Sequence, residues 1–322
     1  MRVGAIDCGT NSIRLLIADL EEAPGGPVAV RDVVREMRVV RLGAGVDATG
    51  WLSQEALDRT FAAVDDYAAA LKEHDVQRVR MVATSATRDA GNRQIFTRGI
   101  RERLGIDPEV ISGAEEARLS FLGAASAVDP SYEGRDLVVD IGGGSTEFVL
   151  GDRAGVIGST SVNIGCVRLT ERYLSSNPPS RSQVERLIGD VDAAVATALE
   201  TVPIATATRL VGVAGSVTTV TAQALGLAEY DAERIHGTEL QMDRTIDAAH
   251  ALTRMTRAER AELGFMHEGR VDVIGAGAQI WARIIERVNE LTHGRVDATV
   301  TSEHDILDGI ALSQVGERER KR

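Results

Sequence analysis

The chain of 322 residues has only two cysteines, Cys8 and Cys166, and only two lysines, Lys72 and Lys321. Two thiols are too few for a disulfide framework or a zinc site, so both are expected as small buried packing residues. No apolar run reaches the roughly 18 residues that a membrane-spanning helix needs. The chain opens directly on a strand with no basic-then-apolar leader, which points to the cytoplasm. Nearly every cation is an arginine, which grips phosphate through two prongs where lysine offers a point charge. The formal net charge of −12 argues against broad, non-specific nucleic-acid binding. It still allows a polyanionic substrate, which needs only a local positive field. With 43% hydrophobic and 26% charged residues, the composition is that of a globular protein. The length predicts about two domains.

What the chain does contain is one pattern written twice. The apolar run Val3-Gly4-Ala5-Ile6 ends in Asp7-Cys8-Gly9-Thr10-Asn11-Ser12, and Leu137-Val138-Val139 ends in Asp140-Ile141-Gly142-Gly143-Gly144-Ser145-Thr146-Glu147. An offset of 133 residues puts Asp7 on Asp140, Gly9 on Gly142 and Ser12 on Ser145. Each copy reads as strand, small-residue turn, strand. Glycines let the backbone approach a ligand closely, so that N–H groups and hydroxyls can cradle phosphate oxygens. An aspartate ending each first strand can hold a magnesium ion or its waters beside those phosphates. One such turn is usually a plain hairpin. Two in register, one per half, point to phosphate.

A third strand is predicted over 28–42, then a helix from about 54 to 72 capped by Ser53. A strand at 79–83, a turn at 84–88, a helix over 91–104, a strand at 109–111 and a helix beginning near Ser112 complete the first half. The second half restarts with strands near 135–140, 145–151 and 155–162, then helices near 165–174 and 181–199. Asn177-Pro178-Pro179-Ser180 is a turn between those helices. A strand at 209–213, helices near 217–225, 242–254 and 272–290, a strand at 296–300 and a closing helix at 303–313 follow. This order predicts α/β halves with mixed sheets. The border falls near 112–135, and the charged tail 316–322 is expected to fray.

Two βββαβα halves, each opening on an Asp-x-Gly phosphate turn, resemble the actin/Hsp70/sugar-kinase superfamily. Within it, the segments 5–12, 83–90, 111–117, 140–147, 165–171, 212–216 and 270–274 resemble, in order, the exopolyphosphatase/guanosine pentaphosphate phosphatase (Ppx/GppA) family. The resemblance implies two ribonuclease H-like domains with a cleft between them, residues 1–125 plus about 302–322 and residues 126–301. It also implies the short, two-domain form, with the last helix packing back on the first domain, and a homodimer as the expected assembly.

Several residues are candidates for chemistry. Ser112 and Glu115 have the spacing of a capping box, in which Glu115 reaches back to the Ser112 N–H. Glu116 faces elsewhere, and the resemblance gives it the place of the catalytic base; the plain alternative is a solvated first-turn glutamate. Asp140 and Glu147 flank the second turn and can hold Mg²⁺, with Mn²⁺ as the alternative, and position a nucleophilic water. Asp7 is their pseudo-symmetric partner. Asn11, Ser12, Gly143, Gly144, Ser145 and Thr146 are the phosphate contacts. Arg88 is the cation for the transferring phosphoryl group, with Arg93 as runner-up. Gly215 and Ser216 follow the second-half strand where superfamily ATPases bind the nucleoside, although a helix start explains them equally well.

The implied activity is a magnesium-dependent phosphoric anhydride hydrolase: an exopolyphosphatase removing the terminal phosphate of linear, short-chain polyphosphate. The alternatives are a guanosine pentaphosphate 5′-phosphohydrolase and a weakly active alarmone-binding regulator. A sugar or acetate kinase-like phosphotransferase shares the phosphate turns, but the Glu115-Glu116 pair argues against it.

Overall fold

The computed structural model describes residues 1–22, 28–127 and 132–315. Contacts divide it into two units, Met1–Ser126 with Asp305 onward, and Ala127–His304. In the first, β1 (Arg2–Cys8), β2 (Ser12–Glu22), β3 (Val28–Val39), β4 (Arg78–Ala83) and β5 (Glu109–Val110) form one sheet in the order β3-β2-β1-β4-β5. The first three make an antiparallel meander, and β4 and β5 continue the sheet in parallel with β1. The second sheet contains β6 (Asp136–Ile141), β7 (Thr146–Asp152), β8 (Gly155–Val162), β9 (Arg209–Val213), β10 (Glu239–Gln241) and β11 (Ala298–Thr301), ordered β10-β11-β9-β6-β7-β8. Its β8-β7-β6-β9-β11 portion repeats the first sheet strand for strand. Both units are therefore ribonuclease H-like, with β10 an added antiparallel edge.

Period-two alternation sorts each strand between two faces. Ile6, Cys8, Ile13, Leu15 and Ile17 pack with Leu57, Val64, Tyr67, Phe96 and Ile100 from the helices Gln54–Glu73 and Arg93–Leu104. Val3, Ala5, Leu16 and Ala18 point the other way, onto Leu119 of the helix Gly113–Ala127 and Ile306, Leu307 and Ile310 of the helix Ile306–Ser313. Those two helices meet closely because glycines stand at the contact. A Cβ on Gly123 would overlap the Asp305 carbonyl, and one on Gly309 the Leu119 carbonyl. In the second unit, Leu137, Val139, Ile141, Phe148 and Leu150 join the core built with the helices Arg181–Ala198, Met242–Arg254 and Ile274–Leu291. The alternation then sends Asp140 and Glu147 to the opposite face of that sheet.

Both cysteines are buried and unbridged, and burial raises both thiol pKa values. Segment 84–88 differs from expectation: Ser85–Asp89 is a short helix, not a turn. The closing helix is Ile306–Ser313, and the tail 316–322 and part of the border at 128–131 lie outside the described residues. Among the described residues, no helix is long and apolar enough to cross a membrane.

Candidate active site

Asp140 on β6 and Glu147 on β7 are direct cross-strand partners, and Ser161 on β8 is the partner of Glu147 on its other side. Residues opposed in this way project from the same face of a sheet. The two carboxylates are 6% and 1% exposed, and Ser161 Oγ donates to Glu147 Oε1 at 2.7 Å. The turn between them closes through Gly142 N–H to the Ser145 carbonyl at 3.0 Å. Its carbonyls are tied from behind. Cys166 N–H reaches Gly142 O at 3.0 Å, Val167 N–H reaches Gly143 O at 2.9 Å, and Arg168 Nε reaches Gly144 O at 2.7 Å. A Cβ on Gly165 would overlap Gly143 O, so this backbone lies directly against the loop. The amides of Gly143 and Gly144 have no acceptor among the described residues, and neither does the Ser145 hydroxyl. Thr146 is different. Its hydroxyl donates to the Ile164 carbonyl at 2.8 Å, which leaves it no proton for a phosphate oxygen.

The first copy closes identically, with Gly9 N–H to the Ser12 carbonyl at 2.9 Å. Gly43 N–H holds Thr10 O at 2.8 Å, and Arg41 N–H holds Asn11 O at 2.8 Å. The charges differ, however. Opposite Asp7 stands Arg14, whose Nη2 and Nε donate to Asp7 Oδ2 at 2.7 and 3.1 Å. Arg14 Nη1 also binds Asp305, whose Oδ1 caps the Ile306–Ser313 helix through Leu307 N–H at 3.0 Å. Burial raises the Asp7 pKa, Arg14 opposes that, and the Asp305 charge adds to it. Asp7 Oδ1 is buried with no hydrogen-bond partner among the described residues. Asp7 is thus half engaged in an ion pair rather than a full equivalent of Asp140.

Glu116 is 7% exposed, and Arg88 Nη1 donates to its Oε2 at 2.9 Å and to the Ile111 carbonyl at 3.0 Å. The helix Ser85–Asp89 and the start of Gly113–Ala127 therefore fix these two candidates against each other. Arg93 sits exposed on the first turn of Arg93–Leu104. Only half of the expected capping box forms. Ser112 Oγ accepts from Glu115 N–H at 3.3 Å, but the Glu115 carboxylate goes to Arg118 at 2.8 Å and Arg80 at 3.2 Å. Two guanidiniums outcompete one backbone amide for a carboxylate.

Gly215 and Ser216 belong to the first turn of the helix Ala214–Leu225, earlier than the predicted start at 217. Ala214 opens it at φ 70°, a left-handed conformation costing a β-carbon residue about 1–2 kcal/mol. Gly215 lies under the Arg270 guanidinium, and Ser216 and Cys166 both pack against Gly277. The segment is a helix start, which either reading of Gly215 and Ser216 allows.

Residues around the turns that the sequence reading missed are Arg14, Ser161, Arg168 and Asp305. The 133-residue offset pairs Arg14 with Glu147 and was the available signal for it. Asp305 lies 291 residues from Arg14, and no local pattern links them.

Among the described residues, no three or more His, Cys, Asp or Glu side chains gather into a metal cage. A sequence model described as the Ppx/GppA phosphatase family matches residues 21–314. Exopolyphosphatase 2 of Mycobacterium tuberculosis is 48% identical over 323 residues, covering 98% of this chain and 99% of that protein. A solved exopolyphosphatase-like protein is 45% identical with a TM-score of 0.92, covering 99% of this chain and 100% of that one. A solved exopolyphosphatase from Cytophaga hutchinsonii is 27% identical with a TM-score of 0.85, covering 98% of each chain. With the repeated turn, the paired carboxylates and the buried Glu116 carried on a match of this extent, the chain belongs to the Ppx/GppA phosphatase family.

Proposed function

We propose that this protein is an exopolyphosphatase that hydrolyses the terminal phosphate of linear polyphosphate. The observation that carries the reading is the Asp140–Glu147 pair, two buried carboxylates facing each other across a turn whose Gly143 and Gly144 amides await an acceptor. The amides and the Ser145 hydroxyl bind terminal phosphate oxygens. Glu116, oriented by Arg88, takes a proton from water as the water oxygen bonds to the end phosphorus. The bridging P–O bond breaks, releasing orthophosphate and a chain shorter by one unit. Charge spreading over the peripheral oxygens is met by the loop amides, and Arg88, whose Nη2 and Nε have no partner among the described residues, is the cation held beside Glu116.

The residues also suit a hard divalent cation. Asp140 and Glu147 supply an all-oxygen donor set. Mg²⁺ is commonly held by one or two carboxylates together with substrate phosphates, so the absence of a complete protein cage is compatible with it. Bound there, the ion would neutralise phosphate charge beside the carboxylates.

With acidic residues outnumbering basic ones and a net charge of −12, little basic surface is expected outside the site, so short chains should be handled at least as well. The test is orthophosphate release from short polyphosphate, long polyphosphate, guanosine pentaphosphate and ATP, each with and without Mg²⁺. Release from the pentaphosphate alone would replace polyphosphate with the alarmone precursor as substrate. Release from none would overturn the assignment.

A further inference from the structure

A second concave site lies within the second unit, among residues with no part in the reaction above. A cavity of about 520 Å³ is lined by Pro179, by Arg181, Val184, Glu185 and Ile188 of the helix Arg181–Ala198, by His250, Thr253 and Arg254 of Met242–Arg254, and by Gln279 of Ile274–Leu291. That volume lies in the range of sites for small organic ligands. Val184, Ile188 and Pro179 supply an apolar wall.

Two independent observations say what such a ligand would carry. Gln279 is 96% buried (4% exposed), yet its side-chain amide has no hydrogen-bond partner among the described residues. The amide lines the cavity with donor and acceptor both open, so a ligand with its own acceptor and donor can pair with both. The second observation is charge. Arg181 is neutralised by Glu185 at 2.8 Å, but Arg254 has no ion pair among the described residues. Behind the cavity, the buried Arg260 donates to the carbonyls of Leu252, Thr253 and Val271, with no carboxylate in contact. The local balance is positive in a protein that is strongly acidic overall.

We propose that this cavity binds a small organic anion with an apolar body, one carboxylate or phosphate monoester group, and an amide-like edge that pairs with Gln279. Arg254 is the counter-charge, with His250 one helical turn before it on the same face. The site does not depend on the hydrolytic assignment, because it shares no residue with the phosphate turns.

The test is calorimetric titration of the full chain with 4-carbamoylbenzoate, 4-carbamoylphenyl phosphate and the neutral terephthalamide. At least one anion should bind with Kd below about 1 mM, and terephthalamide should bind at least about tenfold more weakly. Whichever anion binds tighter assigns the carboxylate or phosphate class. Arg254→Ala and Gln279→Met should each weaken the anion by about tenfold. Ser145→Ala should leave that binding intact, and the two cavity variants should leave polyphosphate hydrolysis without probe unchanged. Arg254 is exposed, so its variant stays interpretable even where Gln279→Met unfolds the chain. No saturation by either anion below about 10 mM, equal affinity for terephthalamide, or full affinity in Arg254→Ala would each overturn the proposal.

Discussion

Arg14 and Glu147 hold the same position in the two copies of the hairpin, 133 residues apart, and carry opposite charge. In one copy the aspartate faces a base, and in the other it faces a second acid. A symmetric fold thereby gains one neutralised turn and one that concentrates negative charge.

Removing Arg14 should be costly for stability. Arg14→Met strands Asp7 and Asp305, two buried carboxylates, and should lower the unfolding free energy by about 3–5 kcal/mol in urea. Asp7→Asn should cost far less. The folded pKa of Asp7 is raised, so its favourable contribution is complete only below the ordinary carboxylate pKa and is lost as pH rises through the folded value. At neutral pH the ionised group contributes no such stability, while Arg14 keeps Asp305. An Asp7→Asn variant less stable than Arg14→Met would refute this division.

Glu116→Gln removes the proposed base but keeps side-chain size. Turnover should fall by about 10²–10⁴-fold, while substrate affinity holds or improves as a negative charge leaves the site. Wild-type turnover in this variant would exclude Glu116 as the base.

Glu115 should behave as a structural residue. Hydrogen bonds from Arg118 foremost, then Arg80, hold its pKa below the usual value against partial burial. Stability from a depressed carboxylate is present above its unfolded pKa and lost as pH falls through the folded one. Glu115→Gln should therefore cost up to about 1 kcal/mol near neutrality, with the gap to wild type closing as pH falls below the ordinary carboxylate range. Turnover should hold. If this variant loses turnover and Glu116→Gln does not, the two roles are reversed.

Gly165→Ala presses a methyl group onto the Gly143 carbonyl and Gly144 amide, so the loop must shift. A displacement of about 1 Å in a positioning group can cost on the order of 10²-fold in rate, measured as kcat on polyphosphate with the melting temperature as control. Unchanged kcat would separate the loop from the chemistry.

Excess chelator should abolish phosphate release, and added Mg²⁺ or Mn²⁺ should restore it, because buried carboxylates beside phosphates need a cation between them. Full activity in chelator would dismiss the metal.

The sheets, the longer helices and the repeated turns were legible in the sequence because each rests on local periodicity or a short motif. Strand β10 and the helices Val46–Thr49, Ala232–Ile235 and Arg257–Ala261 were not, since three to five residues carry no usable period. The turn carboxylates were legible, but their partners were less so. Glu115 looked like a capping residue because the motif gives no weight to Arg118 three residues on, and Arg80 is 35 residues upstream. The Thr146 hydroxyl looked available because its acceptor, Ile164, arrives from a different segment. The Arg88–Glu116 contact joins two residues singled out separately in the sequence, and only the tertiary fold reveals their pairing.

The two cysteines acquire a practical meaning from where they lie. Cys8 ends β1 in one unit, Cys166 begins the helix Cys166–Tyr173 in the other, and both are buried with raised thiol pKa values. Alkylating reagents attack the thiolate and must reach it. Each unit thus carries a built-in chemical clock for its own opening. Mass-resolved labelling of the unaltered protein can time the two units separately, without any introduced probe.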